Sequence, residues 1–223
     1  MITNKNEIKE QTVHNLIILD ESGSMGSIRK QALSGANETI MTIRNSQKSM
    51  PDLRQRLSFV TFDSRSDGKD VRTIIDDMPI DEVRDLTEED YQPMGCTPLY
   101  DAMGISLAAL QQKVKADEHV LVTIITDGLE NASHEYSGKA IKSIVGLLRE
   151  KGWVFAYIGA NQDAVEVASE LNINNAMNYE ATPTGYAHMV SESNKSSMRC
   201  YKKFQQRFLD AGEKFFENSD DEK

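Results

Sequence analysis

Three short polar segments of the chain carry side-chain oxygens at spacings that suit a metal ion. They are Asp20-Glu21-Ser22-Gly23-Ser24, a segment around Thr97, and Asp127-Gly128. Hydroxyl and carboxylate oxygens suit Mg2+, Mn2+ or Ca2+, whereas Zn2+ and Cu2+ are better served by thiolates and imidazoles. The candidate ligands are Asp20, Ser22, Ser24, Thr97 and Asp127. The pattern predicts a Mg2+ site, with Mn2+ or Ca2+ as alternatives, completed by water or an incoming carboxylate.

Each segment taken alone also has a purely structural interpretation. Asp20 and Ser22 are residue types that cap turns, and Asp127-Gly128 is a common turn dipeptide. Thr97 stands before Pro98, where a threonine is a good helix N-cap. The metal-site interpretation is favoured because all the segments occur together in equivalent positions, directly after predicted strands or at a helix start.

The elements that must position these segments are those of an α/β domain. Short apolar runs at 13–19, 57–62, 71–75, 120–126 and 154–158 alternate with segments of helical periodicity, which is typical of a mostly parallel sheet. The runs at 57–62 and 71–75 are separated by a turn signal and predict a hairpin with an antiparallel edge strand. Ligands of such sheets bind beyond the carboxyl ends of the strands. If the first and fourth strands are neighbours, the three polar segments meet there.

Composition limits the partners and the location. The formal charge of −10 disfavours binding to nucleic acid. No apolar run approaches the roughly 20 residues that span a bilayer, so membrane insertion is not expected. The polar N-terminus lacks the apolar region of a signal peptide, and Cys96 and Cys200 form no C-x-x-C pattern. We therefore expect a cytoplasmic protein with a polar lead at 1–12, one domain at 12–216 ending in a helix, and a disordered acidic tail at 217–223.

The segments DESGS, GCTPLY and TDG, in that order, resemble the metal-ion-dependent adhesion site of the von Willebrand factor type A domain family. That motif is Asp-x-Ser-x-Ser, then a distant Thr, then a distant Asp, and the resemblance runs over about residues 12–180. It implies a Rossmann-like, doubly wound sheet of six strands in the order 3-2-1-4-5-6, with one antiparallel edge strand and helices on both faces. The stretches TDGLENAS and YIGANQDA resemble compact stand-alone bacterial or phage members, some of which accompany tellurium-resistance or stress-response gene clusters.

The resemblance also implies what each ligand does. Ser22, Ser24 and Thr97 would coordinate the ion through their hydroxyls, Thr97 through water in some states. Asp20 and Asp127 would act through bound waters, and a glutamate or aspartate of a partner protein would complete the sphere. Around the ion, candidate contacts to the partner are Glu21, Met25, Tyr100, Glu130 and Asn131, with the side chain of Glu21 expected to point to solvent.

The sequence therefore predicts a non-catalytic, metal-dependent protein-binding domain. The strongest alternative is a Mg2+-dependent phosphohydrolase or phosphotransferase on a similar sheet. Haloacid-dehalogenase-like enzymes keep a nucleophilic aspartate after the first strand, in a pattern that resembles Asp-x-Asp-x-Thr with a later lysine. Here residue 22 is serine, and the loops after the strands offer no clear lysine. The catalytic roles are therefore unfilled, and we expect no enzyme activity.

Overall fold

Six strands form one sheet in the order β3-β2-β1-β4-β5-β6 in the computed structural model, which describes residues 10–65, 68–160, 164–206 and 215–216. The strands are β1 (Gln11–Asp20), β2 (Leu53–Phe62), β3 (Val71–Pro79), β4 (His119–Thr126), β5 (Val154–Ala160) and β6 (Ala176–Tyr179). All neighbouring pairs are parallel except β2 and β3, which are antiparallel. The predicted order and the antiparallel edge strand are confirmed.

Five helices cover the two faces of the sheet in the described part of the chain. They are α1 (Arg29–Ser49), α2 (Leu99–Gln111), α3 (Gly138–Glu150), α4 (Ala164–Glu170) and α5 (Pro183–Gln206). Short 3-10 helices occupy Gly23–Ile28 and Ile80–Glu82. No helix of the described ranges is long and apolar enough to cross a membrane.

Alternate residues of the central strand build two separate cores. Ile17 and Leu19 of β1 pack with the apolar residues of α1 and α5, whereas Leu16 and Ile18 pack with those of α2, α3 and α4. Successive side chains of a strand point to opposite faces, so a strand covered on both sides reads as a continuous apolar run. This explains why residues 13–20 are all buried.

The sequence pattern predicted the strands at the right places, but it made β2 and β3 too short because part of each strand is polar. β2 begins at Leu53 and not at residue 57, since Arg54, Gln55 and Arg56 pair with β1 despite their polarity. β3 runs to Pro79 past an irregularity in its pairing with β2, where Asp77 adopts a positive φ of 47°. The predicted polar lead falls mainly on residues 1–9, which are outside the described residues, as is the predicted tail.

Candidate metal centre

The three polar segments lie together at the carboxyl edge of the sheet. Strands β1 and β4 are adjacent, with Leu19 paired to Ile125. Asp20 is the last residue of β1, and Asp127 directly follows the last residue of β4. The loop that enters α2 reaches the same edge, because Gly23 N–H donates to Gly95 O over 3.1 Å. Parallel neighbours thus place both aspartates at one end of the sheet, as the pattern of the sequence required.

A chain of hydrogen bonds joins four of the five predicted ligands. Ser24 Oγ donates to Asp127 Oδ1 over 2.6 Å, and Ser22 Oγ lies 3.1 Å from Ser24 Oγ. Since the single hydroxyl proton of Ser24 is directed to Asp127, Ser22 is the donor to Ser24. Asp20 Oδ1 accepts the backbone N–H of Ser22 over 2.7 Å, and Asp20 Oδ2 accepts the hydroxyl of Thr126 over 2.5 Å. The two serine hydroxyls therefore point to a common place beside two carboxylates.

Thr97 completes the group from the loop before α2. A Cβ added to Gly128 would lie 3.4 Å from Thr97 Oγ1 and 4.0 Å from Ser24 Oγ, so both hydroxyls border the same small space. At the start of α2, Pro98 occupies the N-cap position, and the backbone N–H groups of Tyr100 and Asp101 donate to Glu130 Oε2 and Ser133 Oγ. The hydroxyl of Thr97 therefore does not cap the helix. The structure brings all five predicted residues together.

Charge balance at this place calls for a cation. Asp20 and Asp127 are 0% and 4% exposed, and burial raises the pKa of Asp20 to about 6 and raises the pKa of Asp127. Within the described ranges, no lysine, arginine or histidine forms an ion pair with either carboxylate. Two carboxylates and three hydroxyls are a hard oxygen set. The residues present thus fit a divalent cation such as Mg2+, Mn2+ or Ca2+.

Backbone contacts hold the loop of Thr97 in place. Asn131 N–H donates to Thr97 O over 3.1 Å, and Thr97 N–H donates to Asn131 Oδ1 over 2.8 Å. Gly95 has a φ of +67°, and a Cβ there would lie 2.2 Å from Ser64 O. A left-handed conformation with backbone this close is available to glycine alone without distortion. The position of Thr97 is thus set by loops 64–65, 92–97 and 127–131 together.

Glu21 is buried, and the prediction that its side chain points to solvent is wrong. Its exposure is 0%, and Arg72 Nη2 donates to both of its carboxylate oxygens over 2.7 and 2.5 Å. Arg65 Nη2 lies 3.4 Å from Glu21 Oε1, and the backbone N–H of Gln92 donates to the same oxygen. A buried charge is tolerated when it is paired and hydrogen-bonded in this way. The predicted role of Glu21 as a partner contact is therefore corrected.

Met25 is also corrected as a partner contact. Its exposure is 0%, and Tyr179 Oη lies 3.9 Å from its sulfur. The side chain lies in the core beneath the loop, since Met25 belongs to the 3-10 helix whose buried residues pack against α1 and α5. An apolar residue beside a polar motif is more easily buried than exposed.

The remaining predicted contacts are mostly engaged within the chain. The carboxylate of Glu130 accepts the backbone N–H groups of Tyr100, Ala132 and Ser133. Tyr100 is half-buried, and its hydroxyl lies 3.2 Å from where a Cβ of Gly138 would be. Asn131 is exposed while its amide oxygen bonds to Thr97. Of the predicted contact residues, Asn131 keeps a surface position.

Two exposed apolar residues beside the site were missed by sequence reasoning. Met94 is 48% exposed and Leu129 is 61% exposed. Each is the neighbour of a loop glycine, Gly95 or Gly128, at a tight turn next to a predicted ligand. A large apolar side chain inside a short polar loop has little core to enter, and this is the signal that identifies them.

Comparison with known proteins shows the fold. No family model matches the chain, and no curated protein does. Among solved structures, the vWF domain of the type V pili tip protein Mfa5 of Porphyromonas gingivalis matches with a TM-score of 0.56 and 10% identity, covering 92% of this chain and 98% of that one. The pilus adhesin SpaC of Lactobacillus rhamnosus GG matches with a TM-score of 0.67 and 10% identity over 86% of this chain. This chain spans 31% of the SpaC chain.

A third match in fold is a protein that itself carries an occupied metal motif. The proximal thread matrix protein 1 of the mussel byssus matches with a TM-score of 0.55 and 15% identity, covering 85% of this chain and 46% of that one. Its structure has a zinc-occupied MIDAS motif, the abbreviation for metal-ion-dependent adhesion site. The sheet order, the helices on both faces and these likenesses establish a von Willebrand factor type A fold for the chain. Its candidate metal centre lies at the carboxyl edge of that fold.

Proposed function

We propose that the chain is a non-catalytic binding domain that holds one divalent cation, Mg2+ in the first place, and uses it to bind a carboxylate of a partner protein. The observation that carries the proposal is the convergence of three hydroxyls on two buried carboxylates that lack a cationic side-chain partner in the described part of the chain. The bound ion would supply an electrophilic centre for an external oxygen ligand. The residues that would hold it are Asp20, Ser22, Ser24, Thr97 and Asp127.

The other carboxylates near the site support an external ligand. Glu21 is occupied by Arg72, and Glu130 by three backbone N–H groups. Asp101 accepts the backbone N–H groups of His134, Glu135 and Tyr136. None of these three side chains is available to bind the ion without breaking its own bonds. A carboxylate that completes the coordination sphere therefore comes more readily from another molecule.

The geometry also favours binding over phosphoryl transfer. A nucleophilic aspartate at the end of β1 must reach its substrate, but Asp20 is 0% exposed and hydrogen bonds occupy both of its oxygens. Residue 22 is a serine, so the second carboxylate of that class of enzyme is missing. We propose that Asp20 orients Ser22 and Thr126 and takes no part in covalent chemistry.

Calorimetric titration of Mg2+ into wild type and Thr97→Val tests the metal site. The substitution removes one hydroxyl at nearly constant volume, and we expect the Mg2+ affinity to fall by about tenfold or more. Thr39→Val is the matched control, because its hydroxyl donates to Gly35 O within α1, away from the site. Equal Mg2+ affinities for wild type, Thr97→Val and Asp127→Asn would contradict the proposal. Titrating Mn2+, Ca2+ and Zn2+ in parallel ranks the metals.

We also propose a cytoplasmic location. Its support is chemical: Cys96 is an exposed free thiol, as is usual in a reducing compartment. Fractionation of the native cell, with detection of the protein outside the cytoplasmic fraction, would overturn this placement.

A further inference from the structure

Two large apolar side chains are exposed at the mouth of the candidate metal centre. The mouth is the surface formed by the loop segments 22–27, 92–97 and 127–131. In the described ranges, large apolar side chains with high exposure are Met41, Met78, Met94, Ile105, Leu129, Leu147 and Val165. Met94 lies on the loop that carries Thr97, and Leu129 on the loop that begins at Asp127. Exposed apolar residues beside a polar site are more often contact residues than those scattered singly over a surface.

The backbone contacts place both residues close to the serine and threonine hydroxyls. Met94 N–H donates to Glu21 O over 2.8 Å, and its carbonyl carbon is 4.0 Å from where a Cβ of Gly23 would be. Leu129 follows Gly128, whose Cβ position is 3.4 Å from Thr97 Oγ1. The two apolar residues thus border the mouth from the loops on either side of Ser24.

The guanidinium groups near the mouth already have acceptors within the chain. Arg72 and Arg65 direct their guanidinium groups to the buried carboxylates of Glu21 and Asp63. The guanidinium of Arg29 donates to the backbone oxygens of Tyr91 and Glu88. Within the described loop segments 22–27, 92–97 and 127–131, every exposed residue is uncharged, and these residues are Gly23, Ser24, Gly26, Ser27, Gln92, Met94, Gly95, Cys96, Leu129 and Asn131.

Resting on the proposed function, we infer that the partner presents one carboxylate set among bulky apolar side chains, and not a cluster of acidic residues. The ion neutralises a single carboxylate. Further acidic groups of a partner would meet uncharged side chains and the carboxylate of Asp127, with the nearby guanidinium groups already engaged. Apolar flanks would instead bury Met94 and Leu129, which favours association because apolar surface leaves water.

Capped peptides test this preference on the full chain in saturating Mg2+. The probes are Ser-Leu-Asp-Leu-Ser, Ser-Ser-Asp-Ser-Ser and a penta-aspartate, titrated by NMR chemical-shift changes. We expect the leucine-flanked peptide to bind at least about tenfold more tightly than the serine-flanked one, since burial of only one of its two leucines contributes on the order of the free energy that a tenfold change represents. Met94→Ser and Leu129→Ser are each expected to lower the affinity for the leucine-flanked peptide by about threefold to tenfold.

Matched controls come from the helices. Met41→Ser and Leu147→Ser change residues that are 46% and 61% exposed, against 48% and 61% for Met94 and Leu129. Their peptide affinities are expected to equal those of wild type. The inference is overturned if the penta-aspartate binds as tightly as the leucine-flanked peptide, if no peptide binds, or if mouth and helix variants behave alike. Mg2+ titration without peptide and the peptide series together separate the causes. If the ion binds and any of the carboxylate peptides binds with it, the proposed function stands and the inference alone fails. If the ion does not bind, or if no peptide binds, the proposed function fails as well.

Discussion

A hydroxyl coordinates a cation only while its proton points away from the ion. Asp127 accepts the proton of Ser24 over 2.6 Å, so Ser24 keeps one lone pair for an ion beside the one that accepts the hydroxyl of Ser22. Asp20 has a similar but indirect role, since its two oxygens accept hydrogen bonds from the backbone N–H of Ser22 and the hydroxyl of Thr126. The aspartates therefore orient the hydroxyl groups, and their negative charge favours the same ion.

At the residue scale, Arg72→Gln is expected to weaken the metal centre without touching a ligand. It leaves the Glu21 carboxylate, which lies between Asp20 and Ser22 in the chain, without its closest cation. We expect a loss of about 1–3 kcal/mol in the free energy of unfolding, below the full value for a buried pair because Arg72 is partly exposed. We also expect a fall of about tenfold in Mg2+ affinity. Chemical denaturation and calorimetry measure the two effects.

Arg56→Gln is the control for that change. Arg56 pairs with Asp77 on the same β2–β3 hairpin, and its side chain is 33% exposed against 24% for Arg72. A similar loss of stability is expected, with the Mg2+ affinity of wild type. An equal drop in Mg2+ affinity for both variants would mean that Arg72 acts through general stability and not through the loop of Glu21.

The placement of the five candidate ligands was accessible from the sequence, whereas the burial of Glu21 was not. The five candidate ligands follow strand ends or precede a helix, and local pattern shows those positions. The partners of Glu21 are Arg65 and Arg72, which lie 44 and 51 residues further along the chain on the β2–β3 hairpin. No local pattern indicates such a pairing, so the charge of Glu21 suggested solvent exposure.

At the scale of the elements, substitutions at two glycines distinguish an effect on the stability of the fold from an effect on metal binding. Gly95→Ala places a Cβ 2.2 Å from a backbone oxygen in a left-handed conformation, so the loop of Thr97 must move. Gly35→Ala places a Cβ 2.6 Å from the side chain of Val190, where α1 packs on α5. Each is expected to cost about 1–3 kcal/mol in the free energy of unfolding.

Only the Gly95 variant is expected to lose Mg2+ affinity as well. Denaturant titration gives the free energy of unfolding and calorimetry the affinity, each on both variants. If Gly35→Ala weakened Mg2+ binding as much as Gly95→Ala, the affinity would depend on overall stability and not on the loop that carries Thr97.

The existence and order of the elements followed from hydrophobic pattern, but several ends did not. The sequence ended β3 near residue 75, because Asp76 and Asp77 break the apolar run. In the structure Asp77 is retained in the strand by His14 Nδ1 at 2.7 Å and by Arg56 Nε at 2.9 Å. Tertiary contacts between distant residues thus extend an element beyond its local propensity.

At the scale of the whole molecule, the fold is preserved where sequence identity is about 10%. Two cores on the faces of one sheet require apolar character at alternating positions and not particular residues. The proposed metal centre at the carboxyl edge is more demanding, since each of its candidate ligands must be a hydroxyl or carboxylate at one place. The apolar cores thus tolerate many sequences, whereas the polar motif does not. The hydrophobic pattern and the polar motif together therefore predicted the fold, although no family model matches the chain.

Acidification is expected to stabilise the protein when metal is removed by a chelator. Burial raises the pKa of Asp20 and of Asp63 to about 6, above the ordinary value of 3.8. Between these values the folded protein binds protons that the unfolded chain does not, so its stability rises as the pH falls from 7 towards about 4.5. Carboxylates with a lowered pKa, such as Asp77, reverse the trend only at lower pH.

Thermal denaturation at pH 7 and pH 5 checks this expectation. Asp63→Asn is expected to show a smaller rise in Tm than wild type, because one of the two protonating groups is gone. A fall in the Tm of metal-free wild type over this range would contradict the assigned protonation behaviour of the two aspartates.

The two cysteines differ in accessibility, and this gives the domain a natural place for a spectroscopic label. Cys96 is exposed and immediately precedes Thr97, while Cys200 is 5% exposed on the inner side of the last helix. A maleimide dye would attach to the first thiol under native conditions and leave the second unmodified. The emission of the dye would then report in real time whether a ligand is bound next to the loop that carries Thr97. No cysteine would have to be engineered for this measurement.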